Sequence, residues 1–269
     1  MIIVRLIRPR TLVVSALVAL CFAPSALAQG KVDNSNLENA VLWQQASGER
    51  NALSYQAFTL ARMLLDRDLR SRRSRMRRAV IVDVDETVLD NSPYEARLIK
   101  EGKSYPVGWT DWINSAKCTA VPGAVEFLNY ANSRGVRVFY VTNRKLIEKD
   151  GTAKNLTKLG FPRVNDETLV IRTDDKSDSK ESRRKAISAR YRVVLLMGDD
   201  LNDFSDVFEK SRTIASRLAA TEELKAKFGT RFVVLPNPMY GNWENSLYEY
   251  NFKLTPEQKA EKRRATLKD

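Results

Sequence analysis

No histidine occurs among the 269 residues. That absence excludes a Ser-His-Asp triad, a phosphohistidine intermediate and a zinc site built on imidazole. Acid–base and nucleophilic work must fall to carboxylates, lysines, hydroxyls or thiols. Thiols are scarce as well, because Cys21 and Cys118 are the two cysteines of the chain. Long apolar runs are also missing. The longest, residues 11–24, is too short to span a bilayer comfortably. It follows the positive residues Arg5, Arg8 and Arg10 and precedes Ala26-Leu27-Ala28, a small-x-small cleavage pattern. Residues 1–28 therefore read as an export signal, with an uncleaved anchor as the alternative. Leu20 stands before Cys21, where a lipoprotein signal requires a small residue. A soluble periplasmic or secreted product is expected over an outer-membrane lipoprotein. Removal of residues 1–28 leaves Cys118 without a disulfide partner, and it is expected to be a buried small side chain rather than a reactive one.

What remains is rich in charge. The formal net charge is +12, or +9 once the three arginines of residues 1–28 are removed. Such a chain attracts anionic partners, whether phosphorylated molecules, nucleic acid or an anionic surface. Arginines cluster at Arg70, Arg72, Arg73, Arg75, Arg77 and Arg78. No aromatics are interleaved with them, so a solvated connector is expected ahead of a nucleic-acid site. Residues 256–269 read as a charged, solvated tail.

Periodicity organises the middle. Helices are expected over 37–45 and 51–69, the second carrying Leu53, Ala57, Phe58, Leu60, Ala61, Leu64 and Leu65 at helical spacing. Apolar strands over 79–84, 136–141, 168–172, 193–197 and 232–235 alternate with helices over 122–133, 153–159 and 179–191. That alternation predicts an α/β fold, a three-layer core around a parallel sheet. Residues 88–121 interrupt it and read as a small cap. The domain plan is therefore a signal (1–28), an N-terminal helical segment contributing to the cap (29–78), a core (79–255) with its cap insertion, and the tail.

In such sheets ligands lie at the carboxyl ends of the strands. Asp83, Asp85, Glu86 and Thr87 follow the first strand, and Thr142, Asn143 and Arg144 the second. Lys176 and Lys180 follow the third. Gly198, Asp199, Asp200 and Asp203 follow the fourth. Carboxylates crowded in a low-dielectric crevice must take up protons or bind a hard cation. With oxygen ligands and no histidine, Mg²⁺ is the natural choice. Asp83 and Asp199 would supply side-chain oxygens and residue 85 its backbone carbonyl, freeing the Asp85 side chain for the substrate. Asp83 would attack phosphorus, Asp85 would act as acid and base, and Thr142 and a lysine would hold phosphoryl oxygens.

The run DVDETVL (83–89) resembles the first motif of the haloacid-dehalogenase superfamily. The longer run VDVDETVLDNSPY (82–94) with GDDLNDF (198–204) resembles the paired signatures of bacterial class C non-specific acid phosphatases, the family of the lipoprotein acid phosphatases. The likeness extends through VPGAVEF (121–127), FYVTNR (139–144) and NPMYGNW (237–243), over about residues 35–255. It implies a haloacid-dehalogenase-like core with Asp83 as nucleophile, Asp85 as acid/base and Thr142 as phosphate-binding hydroxyl. It further implies Lys180 as the active-site lysine, Asp199 as metal ligand and Asp203 as support. Trp109 and Tyr240 match aromatics that stack on the leaving group of nucleotides. Trp112 and Trp243 are expected to be packing residues, and Asp90, Asp174 and Asp175 turn or surface acids. The expected activity is hydrolysis of phosphate monoesters, 5′-nucleotides included, outside the cytoplasm. A phosphotransferase on the same aspartate and a non-catalytic basic surface or storage protein are the alternatives.

Overall fold

The computed structural model describes residues 35–71, 75–173 and 179–269. The signal reading of residues 1–28, Cys21, Arg72, Arg73, Asp174, Asp175 and Lys176 lies outside the described residues. Among the described residues no helix is long and apolar enough to cross a membrane.

Helix α1 (Ser35–Ala46) leads into α2 (Gly48–Leu69). Ser47 caps α2 by accepting a hydrogen bond from the Arg50 amide at 3.0 Å, which starts the helix ahead of its apolar stripe. Strand β1 (Arg78–Val82) opens the core. The insert then adds β2 (Leu89–Asp90), α3 (Ser92–Glu101), α4 (Trp109–Asn114) and β3 (Thr119–Ala120). Strands β2 and β3 pair antiparallel and close the insert at its base. Pro93 starts α3, and Gly102, at φ 60°, ends it in the left-handed conformation that glycine adopts freely. The core resumes with α5 (Ala124–Ser133), β4 (Arg137–Thr142), α6 (Lys149–Lys158), β5 (Leu169–Ile171), α7 (Lys180–Arg190) and β6 (Arg192–Gly198). Helices α8 (Asp206–Lys210) and α9 (Ile214–Glu223) precede β7 (Phe232–Val234), and α10 (Asn242–Leu247) and α11 (Pro256–Thr266) follow it.

The sheet runs β5-β4-β1-β6-β7 with every pairing parallel. From β1 the chain moves outward to β5 and then returns to the other side of β1 at β6. The carboxyl ends of β1, β4 and β6 meet at that reversal, where such sheets place their ligands. Alternate residues of β1 serve opposite layers. Val80 and Val82 pack among Phe58, Ala61 and Leu65 of α2 and Phe127 and Leu128 of α5. Ala79 and Ile81 pack among Ile187, Tyr191, Phe204 and Phe232 on the other face.

The two N-terminal helices divide. Helix α1 packs on α3 of the insert, whereas α2 packs on α5 and the sheet. Within the segment 29–78 expected to contribute to the cap, the apolar stripe of α2 covers a core layer and α1 is the helix that meets the insert. Asp90, expected to be a turn or surface acid, is 8% exposed and pairs with buried Arg50 at 2.9 Å. Trp243, expected to pack inside, is 46% exposed. Cys118 is buried, donates to Asn91 Oδ1 at 3.2 Å, and has its thiol pushed up to about 11 by burial, so it is unreactive.

Glu95 on α3 is 7% exposed, and burial, with help from Glu244, raises its carboxyl to about 7. A raised carboxyl leaves the fold unpenalised below the ordinary carboxylate range. Stability then falls as pH climbs through the folded value. Glu95→Gln should therefore match the parent near pH 4 and exceed it by about 3 kcal/mol above pH 7. Urea melts at the two pH values check this, and a constant difference contradicts it.

Candidate active site

Backbone geometry sets the first motif. The Asp83 amide donates to Met197 O of β6 at 2.9 Å, continuing the ladder one residue past β1. A tight turn follows, in which the amides of Val88 and Leu89 return to Val84 O at 3.0 and 2.9 Å. Glu86 sits within it at φ 53°, a left-handed conformation costly for a residue with a side chain. The turn stops the alternation of the strand, so Asp85 points back over the end of the sheet.

Lys180, the first residue of α7, reaches between two acids. Its Nζ donates to Asp83 Oδ1 and, at 2.5 Å, to Asp203 Oδ1. Ser179 caps that helix start by accepting from the Ser182 amide at 3.1 Å, fixing where the lysine leaves the backbone. Asp203 ends a short turn after β6, and its Oδ2 accepts the Asp200 amide at 3.2 Å. It packs directly on Gly198, where an added Cβ would fall 2.3 Å from Asp203 Oδ2. Gly198→Ala should therefore displace Asp203 and with it Lys180, lowering kcat on an aryl phosphate by about 100-fold. Unchanged kcat in that variant would contradict the placement.

Asp199 accepts from Thr87 Oγ1 at 3.0 Å and from Asn237 Nδ2 at 2.8 Å. Carboxylate oxygens of Asp83, Asp199 and Asp203 all lie within 4.8 Å of one another. Among the described residues three carboxylates share one lysine here, leaving an excess of two negative charges if all are ionised. That deficit, with oxygen donors alone, fits one hard divalent cation. Asp203 thus joins the acids expected to hold the ion, whereas the Asp85 side chain stands outside the cluster.

The electrostatics agree with this crowding. Burial raises Asp83 to about 7, with Lys180 opposing and Asp203 and Asp85 adding to the rise. Burial, then the charges of Asp83 and Asp203, hold Asp199 well above the carboxylate range. Burial raises Asp203 despite Lys180. Burial works against the charge on Lys180, but Asp203 and Asp83 outweigh it and hold the ammonium above its usual range.

Asp85 is gripped from the other side. Arg144 donates to its Oδ1 from Nη2 at 2.8 Å and from Nε at 3.0 Å, and Asn91 Nδ2 donates to the same oxygen at 2.8 Å. Thr142 Oγ1 stands 3.5 Å from Asp85 Oδ2 at the end of β4. Arg183 fixes that strand end by donating to Thr142 O and to Asn143 Oδ1, both at 2.6 Å. Asn91 also donates its amide to Glu86 Oε1 at 2.7 Å and accepts from Trp112 Nε1 at 2.9 Å, so Trp112 is tied into the framework as expected. Burial, with the charges of Asp85 and Asp199, holds Glu86 well above the carboxylate range.

Sequence reasoning gave no role to Arg144, Asn91, Glu86 or Asn237. Arg144 had a legible signal, a cation two residues past a strand end that faces carboxylates. The others lie inside quoted motifs, but their reach depends on the turn at Glu86 and on the path after β7. The two aromatics differ in placement. Tyr240 donates its hydroxyl to Glu86 Oε2, beside the first motif. Trp109 is half-buried in the insert, edge-on to Tyr94 at 5.0 Å and Tyr105 at 5.7 Å. Its neighbour Thr110 donates to Glu148 Oε1 at 2.8 Å, tying the insert to the loop after β4.

Residues 10–243 match the family "HAD superfamily, subfamily IIIB (Acid phosphatase)". The class C acid phosphatase from Bacillus anthracis superposes with a TM-score of 0.82 at 40% identity, covering 87% of this chain and 97% of that one. The same relative with tungstate bound gives 0.83 at 41% identity with equal coverage. A stem 31 kDa glycoprotein of Glycine max is 27% identical over 171 residues, 60% of this chain and 58% of the relative. Acid phosphatase 1 of Solanum lycopersicum is 26% identical over 167 residues, 60% and 57%. The chain thus spans less than two thirds of the length of these plant relatives.

Proposed function

The chain belongs to subfamily IIIB, the acid phosphatases, of the HAD superfamily, and from that premise we propose that it is an exported, Mg²⁺-dependent hydrolase of phosphate monoesters. The observation that carries the reading is Lys180 held between Asp83 and Asp203, with Asp199 beside them and Asp85 apart. Asp83 attacks phosphorus in line, so an Asp83 O–P bond forms as the P–O bond to the leaving group breaks. Asp85 gives its proton to the departing alkoxide. It then takes a proton from the water that attacks the phosphorylated Asp83, releasing phosphate and restoring the carboxylate. Arg144 and Asn91 keep Asp85 on the leaving-group side. Lys180 and Thr142 donate to phosphoryl oxygens as charge develops. Asp83, Asp199 and Asp203, with the residue 85 carbonyl, would hold Mg²⁺, which would supply neutralisation of phosphoryl charge. Tungstate in the Bacillus anthracis relative, a tetrahedral oxyanion like phosphate, supports a phosphoryl site.

Substrates include 5′-nucleotides, with Trp109 and Tyr240 flanking the base. Stacking is worth ~1–3 kcal/mol per base, so Trp109→Ala or Tyr240→Ala should lower kcat/KM on a 5′-nucleotide by about 5- to 100-fold. The same variants should leave a small alkyl phosphate nearly unaffected. Equal losses on both substrates contradict stacking. Hydrolysis that ignores a chelator contradicts the cation, and phosphoryl transfer to an added alcohol in preference to water favours a transferase.

A further inference from the structure

The catalytic side chains occupy the carboxyl ends of the strands, and the amino ends carry the opposite charge. Strand β1 begins at Arg78, β4 at Arg137 and β6 at Arg192, while Arg231 immediately precedes β7. Because all the strands run the same way, their starts lie at the edge remote from Asp83. The last turn of α2 closes on the same edge, since Arg78 Nη2 donates to Asp68 O at 3.1 Å and Ser71 O at 2.8 Å. Helices α5 and α7 end just before β4 and β6, so their terminal carbonyls also favour cations there.

Part of this charge is neutralised within the fold. Asp68 takes Arg78 at 2.7 Å and Arg192 at 2.5 Å, and Glu167 takes Arg190 at 3.3 Å. Arg62, Arg67, Arg70, Arg77, Arg134 and Arg231 have no carboxylate partner among the described residues. Tyrosines hold several guanidinium groups in place. Arg62 and Arg134 lie 4.1 and 5.7 Å from the Tyr130 ring centre, and Arg77 and Arg190 lie 5.6 and 5.7 Å from that of Tyr191. Such stacking pre-orders the cations before any partner arrives. A cavity of about 550 Å³ between α2 and the starts of β6 and β7 is lined by Arg67, Arg192 and Arg231, with Asp68 among them. Two polar atoms of its lining residues, Ser71 Oγ and Arg192 Nε, are buried without a hydrogen-bond partner among the described residues.

We propose that this end of the molecule docks on an anionic lipid bilayer. Asp83, Asp85, Glu86, Asp199, Asp200 and Asp203 lie at the opposite end among Arg144, Lys180, Arg183 and Arg217, which they outnumber, whereas the arginines without carboxylate partners stand toward the strand starts. Adsorption of such a dipole turns the active site away from the membrane, toward soluble phosphate monoesters. The shape favours a bilayer over nucleic acid. Cations come from α2 and α5 on one face of the sheet and from α7 on the other, a broad end rather than a groove that tracks a strand. Tyr191 is 4% exposed beneath its guanidinium groups, which leaves its ring closed to bases.

The test uses the chain from residue 29 onward, which contains the whole compact unit Lys31–Asp269, on vesicles of phosphatidylcholine with or without phosphatidylglycerol. The parent should sediment with the anionic vesicles alone and be released by salt. Combining Arg67→Glu, Arg70→Glu and Arg231→Glu should weaken binding by about fivefold or more per arginine, ~100-fold in all. Hydrolysis of a soluble aryl phosphate by that variant should be unchanged. The same charge change on α11, Lys259→Glu with Lys262→Glu and Arg264→Glu, should leave most of the binding intact. Equal losses from the two variants would mean that net charge alone acts and would overturn the proposal. Failure of the parent to bind anionic vesicles would overturn it too, as would tighter binding to duplex DNA than to vesicles.

Discussion

Asp83→Asn should abolish turnover of an aryl phosphate, lowering kcat by at least about 10⁴-fold, while leaving the fold intact. The amide keeps the size of the side chain and an oxygen for Lys180, but it cannot form the bond to phosphorus. No neighbour can substitute. Asp203 is committed to Lys180 and the Asp200 amide, Asp199 to Thr87 and Asn237, and Asp85 to Arg144 and Asn91. Near-parental stability is expected because the change removes one of three crowded carboxylates and keeps the Lys180–Asp203 pair. A kcat loss of only a few-fold, measured beside an unaltered melting curve, contradicts the assignment.

Lys180→Met should damage stability as well as catalysis. Among the described residues the lysine is the one cation that both Asp83 and Asp203 contact, and its side chain is 9% exposed. Breaking a buried pair by removing one partner costs about 3–5 kcal/mol, because the other charge stays buried and unpaired. In cation-free protein that loss should appear near neutral pH and shrink on acidification. The sign follows from carboxyls raised by burial, which are protonated without penalty in acid and lose stability as pH rises through their folded values. Added Mg²⁺ should restore part of the melting temperature by binding the folded state, yet kcat should stay down about 10²–10³-fold, since the donor to the phosphoryl oxygens is gone. Melting curves with and without Mg²⁺ at pH 5 and pH 7 check the pattern. A pH-independent loss contradicts the shared-charge account.

The strands were legible because each is an apolar run ending in turn residues or acids, and parallel strands buried on both faces leave that mark. Helices α8, α9 and α10 were not. The first and third are only 5 and 6 residues long, and α9 is largely solvent-facing, so none carries an extended apolar stripe. The layer served by α2 was hidden for a different reason. Periodicity shows that Ala57, Phe58, Ala61, Leu64 and Leu65 form a face but not what that face meets. In the site, residues adjacent to strand ends could be placed from sequence. Asp90 and Asn91 could not, because their partners Arg50 and Asp85 depend on the return of the chain after Glu86.

The central claim is that Asp83 carries the phosphoryl group during turnover. With a nitrophenyl phosphate, whose leaving group departs without a proton, Asp85→Asn removes only the base that activates water and should let the phosphorylated form accumulate. Acid-quenching that variant in the presence of substrate, followed by peptide mass spectrometry, should place one phosphoryl group on the peptide containing Asp83 and none in an Asp83→Asn control. A phosphoryl group on any other peptide, or turnover with none trapped under those conditions, would contradict the account.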